Sequence, residues 1–213
     1  MATSIIDRER IDLDAEVNRA SPPALRVPAD VRLRVDPDDF ERLCSLNRDL
    51  RLELKADGTL VVMSPAFSRT GRRNVLLTTR LTNWSEAAKL GLSFDSSAGF
   101  TLPDGSVLGP DASWIRLDRW RALRPEDGDG FARIVPDFVA ELRSASDSLP
   151  KAREKMRDYL AQGVRLGWLI DPKTRTVEIY RPGRDVETLA NPTTLSGEDV
   201  LPGFTLDLTD ILT

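Results

Sequence analysis

The chain has 213 residues, 40% of them hydrophobic and 30% charged, with a formal net charge of −4 and no histidine. This balance suits one folded domain with a sizeable core, and its acidity argues against coating nucleic acid through bulk charge while leaving local backbone contacts open. Without histidine there is no Ser-His-Asp or Cys-His catalysis, and with Cys44 as the single cysteine there is no internal disulfide and no ordinary zinc ligand set, so a metal here takes oxygen ligands such as those of magnesium, manganese or calcium.

No run of about eighteen apolar residues occurs, so no membrane span is expected. Met1 to Arg8 lack a basic start followed by an apolar stretch, which argues against a secretory leader. The lone cysteine fits a reducing cytoplasm. Residues 1–33 show no convincing period. Ser21-Pro22-Pro23 and Val27-Pro28 break any regular element there, so this stretch reads as an arm and residues 34–213 as the folded domain.

In chain order, Asp36-Pro37-Asp38-Asp39 starts a helix to about Asn47, with Asp36 as N-cap and Phe40, Leu43 and Cys44 inward. Arg51-Leu52-Glu53-Leu54 and Thr59 to Met63 flank Asp57-Gly58, a hairpin signature. Ser68 to Leu90 reads as the longest helix, with Leu77, Leu81, Trp84 and Ala88 at helical spacing and Gly91 closing it. Strands follow at Leu92 to Asp95, at Gly99 to Leu102 and around Asp111. Another is expected at Asp137 to Arg143, then a helix from about Leu149 to Gln162 ended by Gly163. Two more strands lie on either side of Asp171-Pro172, and the tail from Val200 is short strand or turn. The order predicts an α/β or α+β domain, a mixed sheet flanked by helices.

Asp111 and Glu141 are acids in stretches that read as buried strands, and such acids are costly unless paired. If the two strands are neighbours, both carboxylates can bind one magnesium or manganese ion against a phosphodiester. Arg143 shares a strand face with Glu141. It cannot serve as a base, but it can clamp a phosphate. Lys155, on the following helix, can supply an ammonium. The alternative is structural: Glu141 and Arg143 form an ion pair at a sheet edge, and Lys155 is one solvated charge among Lys151, Arg153 and Arg157. Asn74 either reaches the site from the long helix or bonds to local backbone. Glu53 reads as the polar face of a hairpin strand, with a cleft-facing orientation as the alternative. Arg69, Arg72 and Arg73 form either a phosphate-receiving cluster at a helix start or a solvated charge run. The four tryptophans read as core.

Leu52-Glu53, Asp57 to Pro65, Pro110-Asp111-Ala112-Ser113, Phe138 to Ser144, Lys155, Tyr159, Gly163-Val164 and Trp168 to Pro172 together resemble the Uma-two family, bacterial proteins described as putative restriction endonucleases. The resemblance runs in order from about Arg34 to Leu212. It implies the restriction-endonuclease-like fold of the PD-(D/E)xK nucleases, with Asp111 and Glu141 at the two acidic positions of that motif. It also implies DNA as the partner and a magnesium-dependent endonuclease activity. Arg143 stands where the motif has a lysine, and the resemblance suggests that Lys155 substitutes for it. A homodimer would let two sites cut two strands. The other reading is a nuclease fold kept as a catalytically inactive binding or assembly module.

Overall fold

Asp36 begins the first helix as the sequence predicts. In the structure, a computed structural model describing residues 31–124, 127 and 130–212, the Asp36 side chain accepts the Asp38 N–H at 3.1 Å and α1 runs Pro37–Leu46. The expected arm lies, as far as residue 30, outside the described residues. Phe40 is the buried residue of α1, and Leu43 and Cys44 pack beside it against Leu52 and Leu54.

The hairpin is present, with β1 Arg51–Leu54 and β2 Leu60–Met63 in antiparallel register from Arg51↔Met63 to Leu54↔Leu60. Gly58 adopts φ +79°, and the Asp57 carboxylate accepts the Thr59 N–H at 3.0 Å. The turn therefore uses both glycine's freedom at positive φ and aspartate's ability to bond two residues on. The other edge of β1 pairs with β5 Val107–Leu108, which pairs with β4 Phe100–Thr101. A four-stranded sheet β2-β1-β5-β4 results. β1 is thus an interior strand, paired on both edges, and its last three residues are buried.

The larger sheet has six strands in the order β10-β9-β8-β7-β6-β3. These are β3 Gly91–Asp95, β6 Ala112–Arg116, β7 Phe138–Leu142, β8 Leu166–Asp171, β9 Thr176–Tyr180 and β10 Glu187–Ala190. All neighbours run antiparallel except β7 and β8, which are parallel. A parallel pair needs a crossover, and helix α4, Leu149–Ala161, supplies it. Before β7 a short helix, α3, spans Leu117–Arg121.

One face of this sheet packs on α2, Ser68–Ala88, through Leu77 and Leu81, and on the tail through Leu201, Phe204 and Ile211. Trp168 lies at its centre, with ring centroids 4.7 Å from Phe138 and 6.2 Å from Phe204. The other face carries Ile115, Val139 and Leu169 under Met156 and Tyr159 of α4. The tail is more than the expected strand or turn. It folds a small hairpin, β11 Thr194–Ser196 with β12 Thr205–Asp207, whose inward leucines complete the core. β10 and β11 escape the sequence because they hold only four and three residues, too few for an alternation to stand out.

Gly91 does not close α2. Lys89 takes the left-handed position at φ 56°, and Gly91 opens β3 instead. Its role is close packing, because a Cβ there would lie 2.3 Å from both the Trp114 ring and the Ile115 carbonyl. Trp114 Nε1 donates to Ser85 Oγ, which donates to the Gly91 carbonyl, so the helix end and the strand start are tied through one tryptophan. Ser148 is the N-cap of α4 without a side-chain bond, and Gly163 follows the helix at φ +108°.

Candidate active site

β6 and β7 are neighbours, with Ala112 opposite Ala140. Continuing that antiparallel register by one residue sets Asp111 opposite Glu141. The two acids singled out in the sequence therefore meet because they sit at the same end of one strand pair. Asp111 is 8% exposed. Its Oδ2 accepts the Leu142 N–H at 2.8 Å, which ties the carboxylate to the neighbouring strand. Its Oδ1 has longer contacts, 3.4 Å from Arg51 Nη1 and 3.4 Å from Asn74 Nδ2.

Glu141 projects from β7 toward α4, as the strand face it shares with Val139 requires. Lys155 Nζ lies 2.8 Å from its Oε1, and the Tyr159 hydroxyl donates to the same oxygen at 3.1 Å. Lys155 and Tyr159 are one turn apart on α4, so one helix face delivers both donors. Among the described residues, Oε2 of Glu141 accepts no hydrogen bond. Burial pushes the Glu141 carboxyl up to about 7, against the pull of Lys155, and the nearby Asp111 and Glu53 add to the rise. Burial likewise works against charge on Lys155, but Glu141 and Glu53 outweigh it and raise the amine above its ordinary range. Lys155 is accordingly an ammonium at neutral pH.

Glu53 faces the cleft, not solvent. It is 5% exposed; its Oε1 accepts from Lys155 Nζ at 2.8 Å and from the Gly109 N–H at 3.0 Å. The reason is packing: Lys155 of α4 lies over this face of β1, so the side that a free hairpin would give to water is covered. Asn74 reaches the site from α2, and its Oδ1 is buried without a partner.

The structure thus brings together Asp111, Glu141, Lys155, Glu53 and Asn74. Arg143 goes elsewhere. Its Nη1 donates to Asp171 Oδ2 at 2.6 Å, and its Nε and Nη2 donate to the Asp147 carbonyl at 3.1 Å each. It pairs across to β8 and not with Glu141, because β8 runs parallel beside β7 and brings Asp171 to its end. With 11% and 3% of the two side chains exposed, this is a buried pair, and removing one partner of such a pair is strongly destabilising. Arg143→Met should cost about 3 kcal/mol in urea unfolding at neutral pH while leaving magnesium binding intact. Burial opposes the charge on Asp171, yet Arg143 and its other donors hold the carboxyl below its ordinary value. The contribution is therefore present above the unfolded carboxylate pKa and lost as pH falls through the folded one. Measured in acid, the variant and the wild type should converge.

Two further residues belong to the cluster. Arg51 Nη2 donates to the Gly109 carbonyl at 2.6 Å, beside its longer contact to Asp111. Lys155 Nζ reaches the same carbonyl at 3.1 Å. Gly109 is therefore clamped from β1 and from α4, which fixes Asp111 two residues on. The signal for Arg51 was the period of two along β1, since whatever face Glu53 takes, Arg51 shares. That signal was usable once β1 was known to be interior. Tyr159 carried only the resemblance, with no chemical cue of its own.

No three or more acidic or cysteine side chains gather as a ready cation cluster among the described residues. The donor set nevertheless fits a hard divalent ion. Asp111 and Glu141 each commit one oxygen to the protein and leave the other weakly held or free, and the unpartnered Asn74 Oδ1 lies on the residue touching Asp111. Such oxygens suit magnesium, which keeps several waters and takes one or two carboxylates.

The fold is shared with a solved structure, and a family match gives the class of protein. A solved structure described as a putative nuclease belonging to DUF820 from Anabaena variabilis ATCC 29413 superposes with a TM-score of 0.70 at 21% identity, covering 84% of this chain and 97% of that one. The family described as "Uma2: Putative restriction endonuclease" matches residues 37–209, and the chain belongs to that family. A comparison with curated proteins gave no match.

Proposed function

We propose that the chain is a magnesium- or manganese-dependent DNA endonuclease, with Asp111 and Glu141 holding the metal and Lys155 serving the reacting phosphate. What carries the reading is the position of one ammonium: Lys155 Nζ is 2.8 Å from Glu141 and 2.8 Å from Glu53, beside the strand end that bears Asp111. A bound divalent ion lowers the pKa of a coordinated water and offsets charge at phosphorus. The chain's own residues do the rest. Leu142 N–H and the Gly109 clamp orient Asp111. Tyr159 and Lys155 fix one oxygen of Glu141 and leave the other to face the ion. Lys155, charged throughout the neutral range, is no base; its three N–H donors are engaged by Glu53, Glu141 and the Gly109 carbonyl, so it acts on the negative charge that develops on the phosphate through its own positive charge. Glu53 holds that ammonium in place when Glu141 is engaged. Acting on duplex DNA in the cytoplasm, a homodimer would present one such site to each strand.

One observation favours the inactive binding module as a second reading. Arg143, at the position where the motif has lysine, is committed to Asp171 and gives the cluster no cation. Plasmid nicking decides between the two. The endonuclease reading expects nicks with magnesium or manganese and none with chelator. Absence of nicking together with no heat of magnesium binding would leave the module.

A further inference from the structure

Arg51 braces Gly109 but is no ligand of the metal site proposed above, yet it is placed where it can govern that site. One nitrogen of its guanidinium is anchored firmly, Nη2 on the Gly109 carbonyl at 2.6 Å. The other contact, Nη1 to Asp111 Oδ1 at 3.4 Å, is at the long end for a hydrogen bond and costs little to give up. The side chain is 32% exposed, against 16% for Lys155, so a ligand from solvent can reach Arg51 more easily than it reaches the lysine. The planar fork carries five donors matched to phosphate oxygens, and two of its nitrogens account for its contacts among the described residues.

Charge balance points the same way. Glu53, Asp111 and Glu141, when ionised, face Arg51 and Lys155, which leaves one negative charge unmatched. A divalent cation would turn that into one positive charge, and a phosphodiester would then bring the cluster to neutrality. The Oδ1 oxygen of Asp111 that Arg51 touches is the one not bound by the Leu142 N–H. We propose that Arg51 is an exchangeable counter-ion: it shields the open oxygen of Asp111 in the cation-free protein and receives a phosphate oxygen of the DNA backbone when Asp111 is otherwise engaged. This rests on the endonuclease reading, and it assigns to Arg51 two opposed effects that a mere brace on Gly109 would not have.

Calorimetry with magnesium chloride and anisotropy of a short fluorescent duplex, with magnesium present, separate the cases. Arg51→Met should bind magnesium about tenfold more tightly, because a positive charge beside the ligand is gone. It should bind the duplex about tenfold more weakly, because a charged hydrogen-bond donor is gone. Arg51→Lys keeps the charge but not the fork; it should bind magnesium as the wild type does and the duplex more weakly. Equal or weaker magnesium binding by Arg51→Met, or unchanged duplex binding by either variant, would overturn the proposal. If thermal melting shows that Arg51→Met is unfolded, Arg51→Lys decides alone through its duplex affinity. A wild type that binds no magnesium would defeat the endonuclease reading and this proposal with it, whereas a wild type that binds alongside an unaltered Arg51→Met would defeat the proposal alone.

Discussion

Asp111→Ala should lower magnesium-dependent cleavage by about a thousandfold or more and abolish the heat of magnesium binding. The expectation follows from what the carboxylate does. Its Oδ2 accepts the Leu142 N–H and its Oδ1 is the open oxygen of the pair, so the substitution removes one of the two carboxylates proposed to hold the ion. Loss of electrostatic stabilisation at a reacting centre typically costs about a hundred- to a thousandfold per donor, and loss of a ligand removes the ion as well. Alanine also leaves the buried Leu142 N–H without an acceptor, at about 1–3 kcal/mol. Asp111→Asn separates the two effects: it keeps an acceptor for Leu142 while removing the charge. Both variants should be inactive, and the asparagine variant should unfold closer to the wild type. Full cleavage by folded Asp111→Asn would remove Asp111 from the mechanism.

Lys155→Met should have two large effects of different origin. Cleavage should fall by about a hundredfold or more, since the one ammonium of the proposed site is gone. Stability at neutral pH should fall by about 3–5 kcal/mol, the cost of stranding buried carboxylates whose partner has been removed. The sign of the pH dependence identifies the cause. Burial already raises the Glu141 carboxyl to about 7, with Lys155 opposing the rise, so removing Lys155 pushes it further up. A carboxyl raised on folding contributes stability that is present below its unfolded pKa and lost as pH rises through the folded value. The wild type stops losing this stability above about pH 7 whereas the variant goes on losing it, so the variant's deficit should widen as pH rises through about 7 in urea unfolding. A deficit independent of pH would assign Lys155 to packing alone.

Much of the site was legible in the sequence because two strands and one helix carry it in simple periods. Asp111 and Glu141 fall at the same end of the β6–β7 pair, and Lys155 and Tyr159 fall one turn apart on α4. Glu53 and Arg51 were harder. Whether a hairpin strand shows one face to water depends on what covers it, and the covering residue, Lys155 of α4, lies 102 positions beyond Glu53 in the sequence. Arg143 shows the converse. Its spacing from Glu141 suggested a shared cleft, but the parallel strand beside it supplied Asp171, and the buried acid at 2.6 Å takes the guanidinium. For the fold, the long helix and the hairpin followed from periodicity and turn chemistry, whereas the tail's contribution to the core rested on single leucines spaced too irregularly to read. Gly91 was misjudged because a glycine after a helix ordinarily caps it, and here a tryptophan from β6 claimed the space instead.

The central claim, that Asp111 and Glu141 together hold the ion, is tested most directly by soaking crystals in manganese and measuring anomalous scattering. The account predicts one peak within coordination distance of both carboxylates, absent from Asp111→Asn crystals. A manganese peak that contacts neither carboxylate, or no peak in crystals of protein that cleaves DNA with manganese, would contradict it.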